Sequence, residues 1–467
     1  MKTKAIATIS FLLLVSSSLV HTAAELRVGA AAVNITPPPG IGMAGYYFER
    51  GAQGTNDDLF AKAIVLELDG VQAALVGLDL ISTTRWMVET ARQEIEQTTK
   101  MRGDHVMISA THAHTGPVLA KRGAREDSQG GGADLSQRYS NELPKRIAES
   151  VRLAASRMQP ARASVALGRE EHLSFNRRFF MIDGTVGWNP GKLNPKIVRP
   201  AGPIDPDVSV VLFEAPREQR PAEPLATYVN FAMHPDTVGG QDFSADYPGA
   251  LSRILAGYKG ASMVTLFANG TCGNLNHIDV KWAGAQKGPE EAHRIGTILG
   301  AAVLQAYKHL QPLKPGVLRA RSDIVKLPLP ELKADDVEKA RATVKRYTMK
   351  DNSGFMEKVQ AYKVLDVAAR EGRPQEAEVQ VIALGDEVAW VSLPGEIFVE
   401  LGLAIKNASP FRYTMIAELA NGSLGYIPNK EAYPQGNYEV VSARCAAGSG
   451  ELLVDAALRL LNELKRR

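Results

Sequence analysis

The sequence predicts an α/β fold in which mixed β-sheets are flanked by helices. Over residues 26–330, short apolar runs alternate with amphipathic helical patterns. Such alternation is typical of sheets covered by helices. Hydrophobic residues make up 45% and charged residues 22% of the 467 residues, which is the composition of an ordinary globular protein with ample core. Since no repeat and no low-complexity linker is evident, we expect a single domain over residues 25–467, without a separable C-terminal module.

The elements follow in order along the chain. Strand candidates are short apolar runs, and helix candidates are longer stretches with a period near 3.6 residues. The strand candidates are residues 63–68, 73–78, 105–110, 208–214, 225–231 and 263–268. The helix candidates are residues 85–98, 137–157, 248–257 and 290–310. The charged stretch 331–371 predicts a helical surface excursion, residues 378–393 a hairpin around Gly385-Asp386, and residues 451–464 a final amphipathic helix.

Residues 1–24 have the pattern of a secretory signal peptide. Lys2 and Lys4 precede the apolar stretch 5–20, and residues 22–24 (Thr-Ala-Ala) supply small residues for cleavage. A membrane anchor is the alternative, but the stretch is short and interrupted by serines. No later segment approaches the roughly 18 apolar residues of a membrane span. We therefore expect a secreted or periplasmic protein.

The chain that remains after cleavage is close to electrically neutral. The sequence has 54 basic and 51 acidic side chains. Two of the lysines belong to the first 24 residues, which leaves 52 basic against 51 acidic side chains. This balance gives no electrostatic reason to expect nucleic acid or an anionic membrane as a partner.

The sequence contains two cysteines. Two cysteines do not make a disulfide framework. In an oxidising compartment, Cys272 and Cys445 either form one disulfide or remain two buried thiols. Their separation decides between these alternatives, and the sequence does not give it.

The most informative segment is 109–117, which reads Ser-Ala-Thr-His-Ala-His-Thr-Gly-Pro. It places His112 and His114 two positions apart after an apolar run, and in an extended segment such positions point to the same side. Gly116-Pro117 then turns the chain away. Two imidazoles at a strand end suit zinc or another borderline metal. The alternative is that one of them is a buried, hydrogen-bonded loop residue.

Four further segments end apolar runs in polar or conformationally special residues. Each candidate residue also has a purely structural explanation. In the order of the segments, these are a histidine in a loop, a plain turn, a carboxylate that stabilises a helix N-terminus and an aromatic residue of the core. The segments are 230–235 (with 244–249 after it), 267–276, 393–396 and 421–426, and their candidate residues are His234, Asn276, Glu396 and Tyr426.

Together and in this order, these segments resemble the neutral (non-lysosomal) ceramidase family, a group of exported zinc amidases. The resemblance extends from Val28 to about Ser442 and includes the opening residues 28–37 and the segment 426–439. Thr-His-Ala-His-Thr-Gly-Pro matches the family's Thr-His-x-His-Ser-Gly-Pro. Pro-Gly-Glu at 394–396 and Gly-Tyr-Ile at 425–427 match two further family motifs.

The resemblance implies a role for each matching residue. His114 is implied as a catalytic neighbour of the metal, able to carry a proton from water to the leaving amine. Arg177 comes from a matching Asn-Arg pair and is implied to act on the substrate, although Arg178 adjoins it. The implied ligands of one zinc ion per chain are His112, His234, Glu396 and Tyr426.

The chain departs from the family in one loop. Where the family has Gly-Asp-x-Ser-Pro, Asn276 stands at the Ser position and His277 at the Pro position. Asn cannot act as an alkoxide nucleophile, but it can donate an amide N–H to a tetrahedral oxyanion. A mechanism by zinc-activated water therefore stays open, whereas one that needs a serine does not. The family's C-terminal immunoglobulin-like domain is not expected here.

The function implied is that of a secreted zinc-dependent amidohydrolase that cleaves the N-acyl amide of ceramide or of a related N-acyl lipid. Residues 25–467 would form this neutral-ceramidase-like zinc hydrolase domain, after the signal peptide 1–24. One alternative is a zinc amidase or deacylase of another exported substrate, and another is a catalytically silent binding homologue, because of Asn276. The expected partner is a lipid-like N-acyl substrate. Peripheral membrane contact stays open, and no obligate protein partner is evident.

Overall fold

The computed structural model describes residues 25–120, 123–314 and 316–466. The predicted signal peptide, residues 1–24, lies outside the described residues. The predicted α/β class, with mixed sheets flanked by helices, is confirmed. Among the described residues, no helix is long and apolar enough to cross a membrane. Cys272 and Cys445 are both buried free thiols, so the disulfide alternative does not hold.

Three large sheets share one topology, in which an antiparallel hairpin is followed by a strand that pairs in parallel with the second hairpin strand. The first sheet has the order Val106–Ala110, Val71–Leu78, Phe60–Leu68, Arg27–Asn34 and Gln159–Pro160. The second sheet has the order Val264–Asn269, Glu223–Phe231, Asp207–Ala215, Arg162–Arg169 and Gln311–Pro312. The third sheet has the order Leu318–Leu327, Gln375–Leu384, Val388–Ser392 and Tyr413–Ala417.

Each parallel pair requires a crossover connection, because parallel strands cannot be joined by a tight turn. In all three sheets the crossover contains a helix, and a second long helix packs against it. The crossover helices are Arg85–Thr99, Asp246–Lys259 and Val399–Ala408. Their long neighbours are Asp134–Ser156, Pro289–Ala306 and Ser449–Lys465. The fold therefore contains a threefold structural repeat, which corrects the expectation that the chain has none.

The remaining elements are short or lie outside the repeat. Residues 331–371 form a helical excursion, as predicted, with helices Asp336–Arg346 and Phe355–Ala368. The short helices are Gly103–His105, Ala124–Glu126, Asp127–Gly131, Tyr307–His309, Lys430–Gln435 and Tyr438–Ser442. The small sheets pair Arg178–Met181 with Val186–Trp188 and Ile197–Pro200, Gly54–Thr55 with Asp242–Phe243, Phe175–Asn176 with Leu275–Asn276, and Glu396–Ile397 with Tyr426–Ile427.

Strand alternation explains how three sheets can share one core. Successive side chains of a strand point to opposite faces. In the first sheet, Ala63 and Val65 therefore pack under the two helices of that sheet, whereas Ile64 and Leu66 face a central core. Residues of all three sheets build this central core, in which the ring centroids of Tyr228 and Trp390 are 5.9 Å apart.

Three long strands were not among the sequence candidates. Arg27–Asn34 is apolar from Val28 to Val33 but consists largely of glycine and alanine, which are depleted in strands, and Arg162–Arg169 carries an arginine at each end. Leu318–Leu327 is an edge strand with mostly exposed or half-buried side chains. Each of these strands pairs along its whole length with a neighbouring strand. A short window of sequence does not reveal that context.

Candidate metal centre

The site lies where the parallel strand pairs of all three sheets end. His112 and His114 follow the strand Val106–Ala110 of the first sheet, and His234 follows Glu223–Phe231 of the second. Glu396 comes after the strand Val388–Ser392 of the third sheet. Carboxyl ends of parallel strands are the usual place for ligand sites in open α/β sheets. The repeated topology thus brings residues from distant parts of the chain to one point.

The two histidines of the first sheet converge through a strained turn rather than an extended segment. His112 has φ of 75°, in the left-handed region that a non-glycine residue rarely adopts. The backbone N–H groups of His112 and Ala113 both donate to the carbonyl of Leu80, at 2.9 and 3.2 Å, and so hold this turn. The Nε2 atoms of His112 and His114 come within 3.2 Å of each other. The two imidazoles point to the same side, as expected. However, the turn at His112 causes this, and strand alternation does not.

His112 and His234 are each oriented by a backbone carbonyl. Nδ1 of His112 lies 2.7 Å from the Ile81 carbonyl, and Nδ1 of His234 lies 2.8 Å from the Cys272 carbonyl. A carbonyl accepts only from an N–H, so Nδ1 carries the proton in both rings and Nε2 faces the site. The two ring centroids are 4.5 Å apart. This is how proteins commonly fix the orientation of a metal-binding imidazole.

Glu396 and Tyr426 are neighbours because their short strands pair in parallel, with these two residues in register. Oε2 of Glu396 lies 3.4 Å from Nε2 of His112 and 3.3 Å from Nε2 of His234. The close approach requires glycine at 395, since a Cβ atom there would lie 2.8 Å from the Gly425 carbonyl oxygen. The Pro-Gly-Glu motif is thus explained by backbone packing as well as by its carboxylate.

Several polar atoms of this cluster have no partner in the described part of the chain. Nε2 of His234 and Oε2 of Glu396 are buried without a hydrogen bond. One ring nitrogen from each of His112, His114 and His234 lies within 4.8 Å of the others. Buried polar atoms without partners are costly and rare. Two or three imidazoles and one carboxylate are a donor set that fits zinc, so a bound cation would satisfy these atoms.

The protonation states of Glu396, His114 and His234 suit a metal site. Burial lowers the pKa of His112, but Glu396 outweighs it and raises this pKa, so His112 must lose a proton when a metal binds. Burial opposes ionisation of Glu396, but His112 and His234 outweigh it and hold the pKa of this carboxyl well below its usual range. Burial, assisted by neighbouring positive charge, lowers the pKa of His114 and of His234 well below the usual range. An ionised carboxylate and neutral imidazoles are the forms that bind a metal.

A buried arginine completes the polar wall. Nη2 of Arg177 lies 3.1 Å from the hydroxyl oxygen of Tyr426 and 2.7 Å from the Gly273 carbonyl, and Nε donates to Glu439 at 2.9 Å. Arg178 instead binds the other oxygen of Glu439 and the Gly436 carbonyl. Of the two adjacent arginines, Arg177 faces the site, which agrees with the choice made from the motif.

The cluster opens into a cavity of about 570 Å³. His114, His234, Arg177, Tyr426 and Asn276 all line it. The lining also includes Tyr46, Tyr47, Phe48, Trp188, Asn189, Lys192, Asp236, Lys287, Phe355 and Tyr438. Phe179, Phe180 and Met181, three apolar residues close to Arg177 in the sequence, do not line this cavity.

Asn276 lies on the cavity wall, and most of its side-chain amide group is hydrogen-bonded to the protein. Its Nδ2 donates to Oδ1 of Asn189 at 2.9 Å, and its Oδ1 accepts from the backbone N–H of Ile278 at 3.1 Å. The short pairing of Leu275–Asn276 with Phe175–Asn176 fixes this loop next to Arg177. One amide N–H therefore remains for a ligand in the cavity.

The sequence did not single out Glu418, which holds two parts of the site together. Its Oε2 accepts from the backbone N–H groups of Cys272, at 3.0 Å, and Ile397, at 2.9 Å. Burial raises the pKa of Glu418 to about 8. An isolated Glu one position after a strand gives no pattern that a reader of the sequence could use.

The Tyr46–Asp236 pair was also missed. The Tyr46 hydroxyl donates to Asp236, and Oδ1 of Asp236 lies 3.8 Å from Nδ1 of His114. Asp236 follows the His234-Pro235 motif directly, so its position was a usable signal, whereas Tyr46 lies 190 residues away.

The chain is similar in structure to solved ceramidases. Neutral ceramidase from Pseudomonas aeruginosa superposes with a TM-score of 0.74 at 20% identity, covering 94% of this chain and 75% of that chain. A ceramidase complexed with C2 gives a TM-score of 0.73 at 20% identity, with 94% and 76% covered. No protein-family model and no curated protein matches the sequence. The chain therefore has the neutral ceramidase fold, as the resemblance of its motifs implies.

Proposed function

We propose that this protein is a zinc-dependent amidohydrolase that cleaves the N-acyl amide of ceramide or of a related N-acyl lipid. In this proposal residues 1–24 direct export, and residues 25–467 form the hydrolase domain. The observation that carries the proposal is the convergence of His112, His234 and Glu396. Oε2 of Glu396 lies 3.3–3.4 Å from Nε2 of both histidines, and neither this oxygen nor Nε2 of His234 has a hydrogen bond to a described residue.

Zinc would be held by His112, His234, Glu396 and Tyr426, and it supplies Lewis-acid activation of water and of the amide carbonyl. His114 is the proton carrier in this scheme. Its imidazole is neutral because burial lowers its pKa, so it can accept a proton at Nε2 and return it to the leaving nitrogen. Asp236 faces the other ring nitrogen of His114, at 3.8 Å.

Arg177 and Asn276 bind oxygen atoms of the substrate. Arg177 uses Nε and Nη2 for protein contacts, which leaves Nη1 without a partner in the part of the chain that the structure describes. The free N–H of Asn276 is a second donor on the same wall. Donors fixed in advance are well suited to stabilise the negative charge that develops on the amide oxygen.

The test is hydrolysis of an N-acylsphingosine by the full chain, measured with zinc, with a chelator, and after zinc is restored. We expect fatty acid release that the chelator abolishes and zinc restores. His234→Ala should lose both zinc and activity, while His172→Ala, which changes an exposed histidine outside the cavity, should keep both. Release that survives complete removal of the metal would contradict the proposal.

The hydrogen bond from Asn276 to Asn189 favours a second candidate function, that of a zinc amidase acting on a substrate other than ceramide. In that case, short N-acyl amides would be hydrolysed while N-acylsphingosine would not. A catalytically silent binding homologue would take up zinc and hydrolyse none of these amides.

A further inference from the structure

The lining of the main cavity includes a cluster of aromatic rings that leads to the metal centre. The ring centroids of Trp188 and Phe355 are 5.6 Å apart with nearly parallel planes, and those of Trp188 and Tyr438 are 4.4 Å apart. Tyr438 in turn lies 5.3 Å from Tyr426. Such a surface suits an acyl chain, because aromatic rings bury a large apolar area.

A different group of residues surrounds His114. The Tyr46 ring centroid lies 6.0 Å from that of His114, and Nζ of Lys287 lies 5.6 Å from the Tyr46 ring centroid. Tyr46 thus lies between Lys287 and His114, the residue that would protonate the leaving amine. The amine portion of a bound amide would lie on this side, and its acyl portion against the aromatic cluster.

Positive charge on the cavity lining is not balanced. Neither Lys192 nor Lys287 forms an ion pair with any residue that the structure describes, and Nζ of Lys192 donates only to the carbonyls of Ala283 and Gly284, at 3.2 and 2.7 Å. Asp236, a carboxylate on the same lining, already accepts from the Tyr46 hydroxyl. Arg177 is paired with Glu439.

We propose that the preferred substrate carries a carboxylate on its amine portion, as an N-acyl amino acid does, and that the positive charges of Lys287 and Lys192 on the cavity lining attract this carboxylate. The inference rests on the proposed amidase function and narrows its substrate class. Ceramide presents hydroxyl groups on its amine portion but no anion. A carboxylate there would supply the opposite charge that the two ammonium groups lack.

The reaction is a simple hydrolysis. Water adds to the amide carbonyl carbon, the bond between that carbon and the nitrogen breaks, and the nitrogen takes up a proton through His114. The products are a fatty acid and a free amino acid, with no change of oxidation state and no further reactant.

The test compares two amides of nearly equal size that differ in charge, N-octanoylglycine and N-octanoylethanolamine. The full chain, supplied with zinc, should hydrolyse the anionic amide with a kcat/KM about tenfold higher at low salt, since each partly exposed ion pair contributes a factor of about two to five. The ratio should fall towards one at high ionic strength, because salt screens such pairs.

Charge-neutral variants identify the residues. Lys287→Gln and Lys192→Gln should each lower the ratio about threefold, and the double variant should bring it close to one. Lys145→Gln is the matched control, because Lys145 is an exposed lysine on the helix Asp134–Ser156, outside the cavity. It should leave the ratio at its wild-type value.

The outcomes separate the two proposals. Equal kcat/KM for both amides, or a ratio unchanged in the double variant, would overturn the carboxylate inference while the amidase function stands. If neither amide is hydrolysed, the amidase proposal is decided separately by N-acylsphingosine hydrolysis. Calorimetric titration of the same zinc-supplied chain then tests the lysines without turnover, and equal Kd values for the two amides would overturn the inference as well.

Discussion

The histidine–carboxylate cluster and the Asn276 loop line the same cavity, but their polar atoms are satisfied in opposite ways. In the cluster, Nε2 of His234 and Oε2 of Glu396 are buried and form no hydrogen bond with any residue that the structure describes. In the loop, both ends of the Asn276 amide have a protein partner, Asn189 or the backbone of Ile278. The first arrangement needs a ligand to complete it, whereas the second is nearly complete by itself. The difference teaches that a bound cation would complete the cluster, whereas the Asn276 loop is completed by its own protein contacts.

The largest loss of zinc affinity should come from removing the imidazole of His234, because its buried Nε2 has no hydrogen bond to a described residue. We expect His234→Ala to weaken zinc binding by at least about 100-fold, since the loss of a direct ligand exceeds the 10- to 100-fold cost of losing an orienting partner. Competition with a zinc chelator of known affinity measures this change. Zinc affinity within about tenfold of wild type would remove His234 from the metal site.

His114 sharpens the comparison, because the geometry allows it to be either a ligand or a proton carrier. As a proton carrier, His114→Ala should lower kcat by about 100- to 10,000-fold and leave zinc affinity within about tenfold. Steady-state kinetics and zinc titration of the same preparation distinguish the two roles. A parallel loss of zinc would instead make His114 a ligand.

The Asn276 loop should be less sensitive than the cluster. Asn276→Asp retains the shape and the acceptor for the Ile278 N–H, but it loses the amide donor and sets a carboxylate against Oδ1 of Asn189. We expect kcat to fall by about 10- to 100-fold, less than the roughly 100- to 1000-fold cost of removing a dedicated oxyanion donor, with zinc retained. Unchanged kcat would show that Asn276 has no part in the reaction.

The smallest expected effect is on stability and concerns Glu418, whose side chain accepts hydrogen bonds from the backbone N–H groups of Cys272 and Ile397. Its folded-state pKa, about 8, lies above the ordinary value of 4.5. Its contribution to stability is therefore fully present below about pH 4.5 and is lost as the pH rises through about 8.

Glu418→Gln keeps an acceptor for the N–H groups of Cys272 and Ile397 but cannot ionise. The free energy of unfolding of the metal-free protein should therefore fall less between pH 5 and pH 8 in this variant than in wild type, by about 1–3 kcal/mol. Urea unfolding at several pH values measures the difference. Parallel pH profiles would show that Glu418 is ionised in the folded protein.

The sequence predicted the parts of the site that lie next to strand ends. His112, His114, His234, Glu396 and Tyr426 each follow a recognisable apolar run or turn motif, and the structure brings all five together. These local patterns mark strand ends, where open α/β sheets usually carry ligand sites. That three different sheets bring their ends to one point was not visible in the sequence.

The sequence could not predict the contacts that link distant segments. Tyr46 reaches Asp236 across 190 residues, and Arg177 reaches Glu439 across 262 residues, without any local signal. The threefold repeat was hidden for a related reason. Strand pairing and helix packing require only alternation and apolar stripes, which many different side chains can supply, so the three units keep their topology without similar sequences.

The central claim is that the histidine–carboxylate cluster binds a zinc ion that amide hydrolysis requires. The most direct measurement is the rate of N-acyl amide hydrolysis by the full chain as zinc is titrated from zero to two equivalents. The account predicts activity that rises linearly and reaches its plateau at one zinc per chain, with no such rise in His234→Ala. Activity without zinc, or one tightly bound zinc with no hydrolysis of any N-acyl amide, would contradict it.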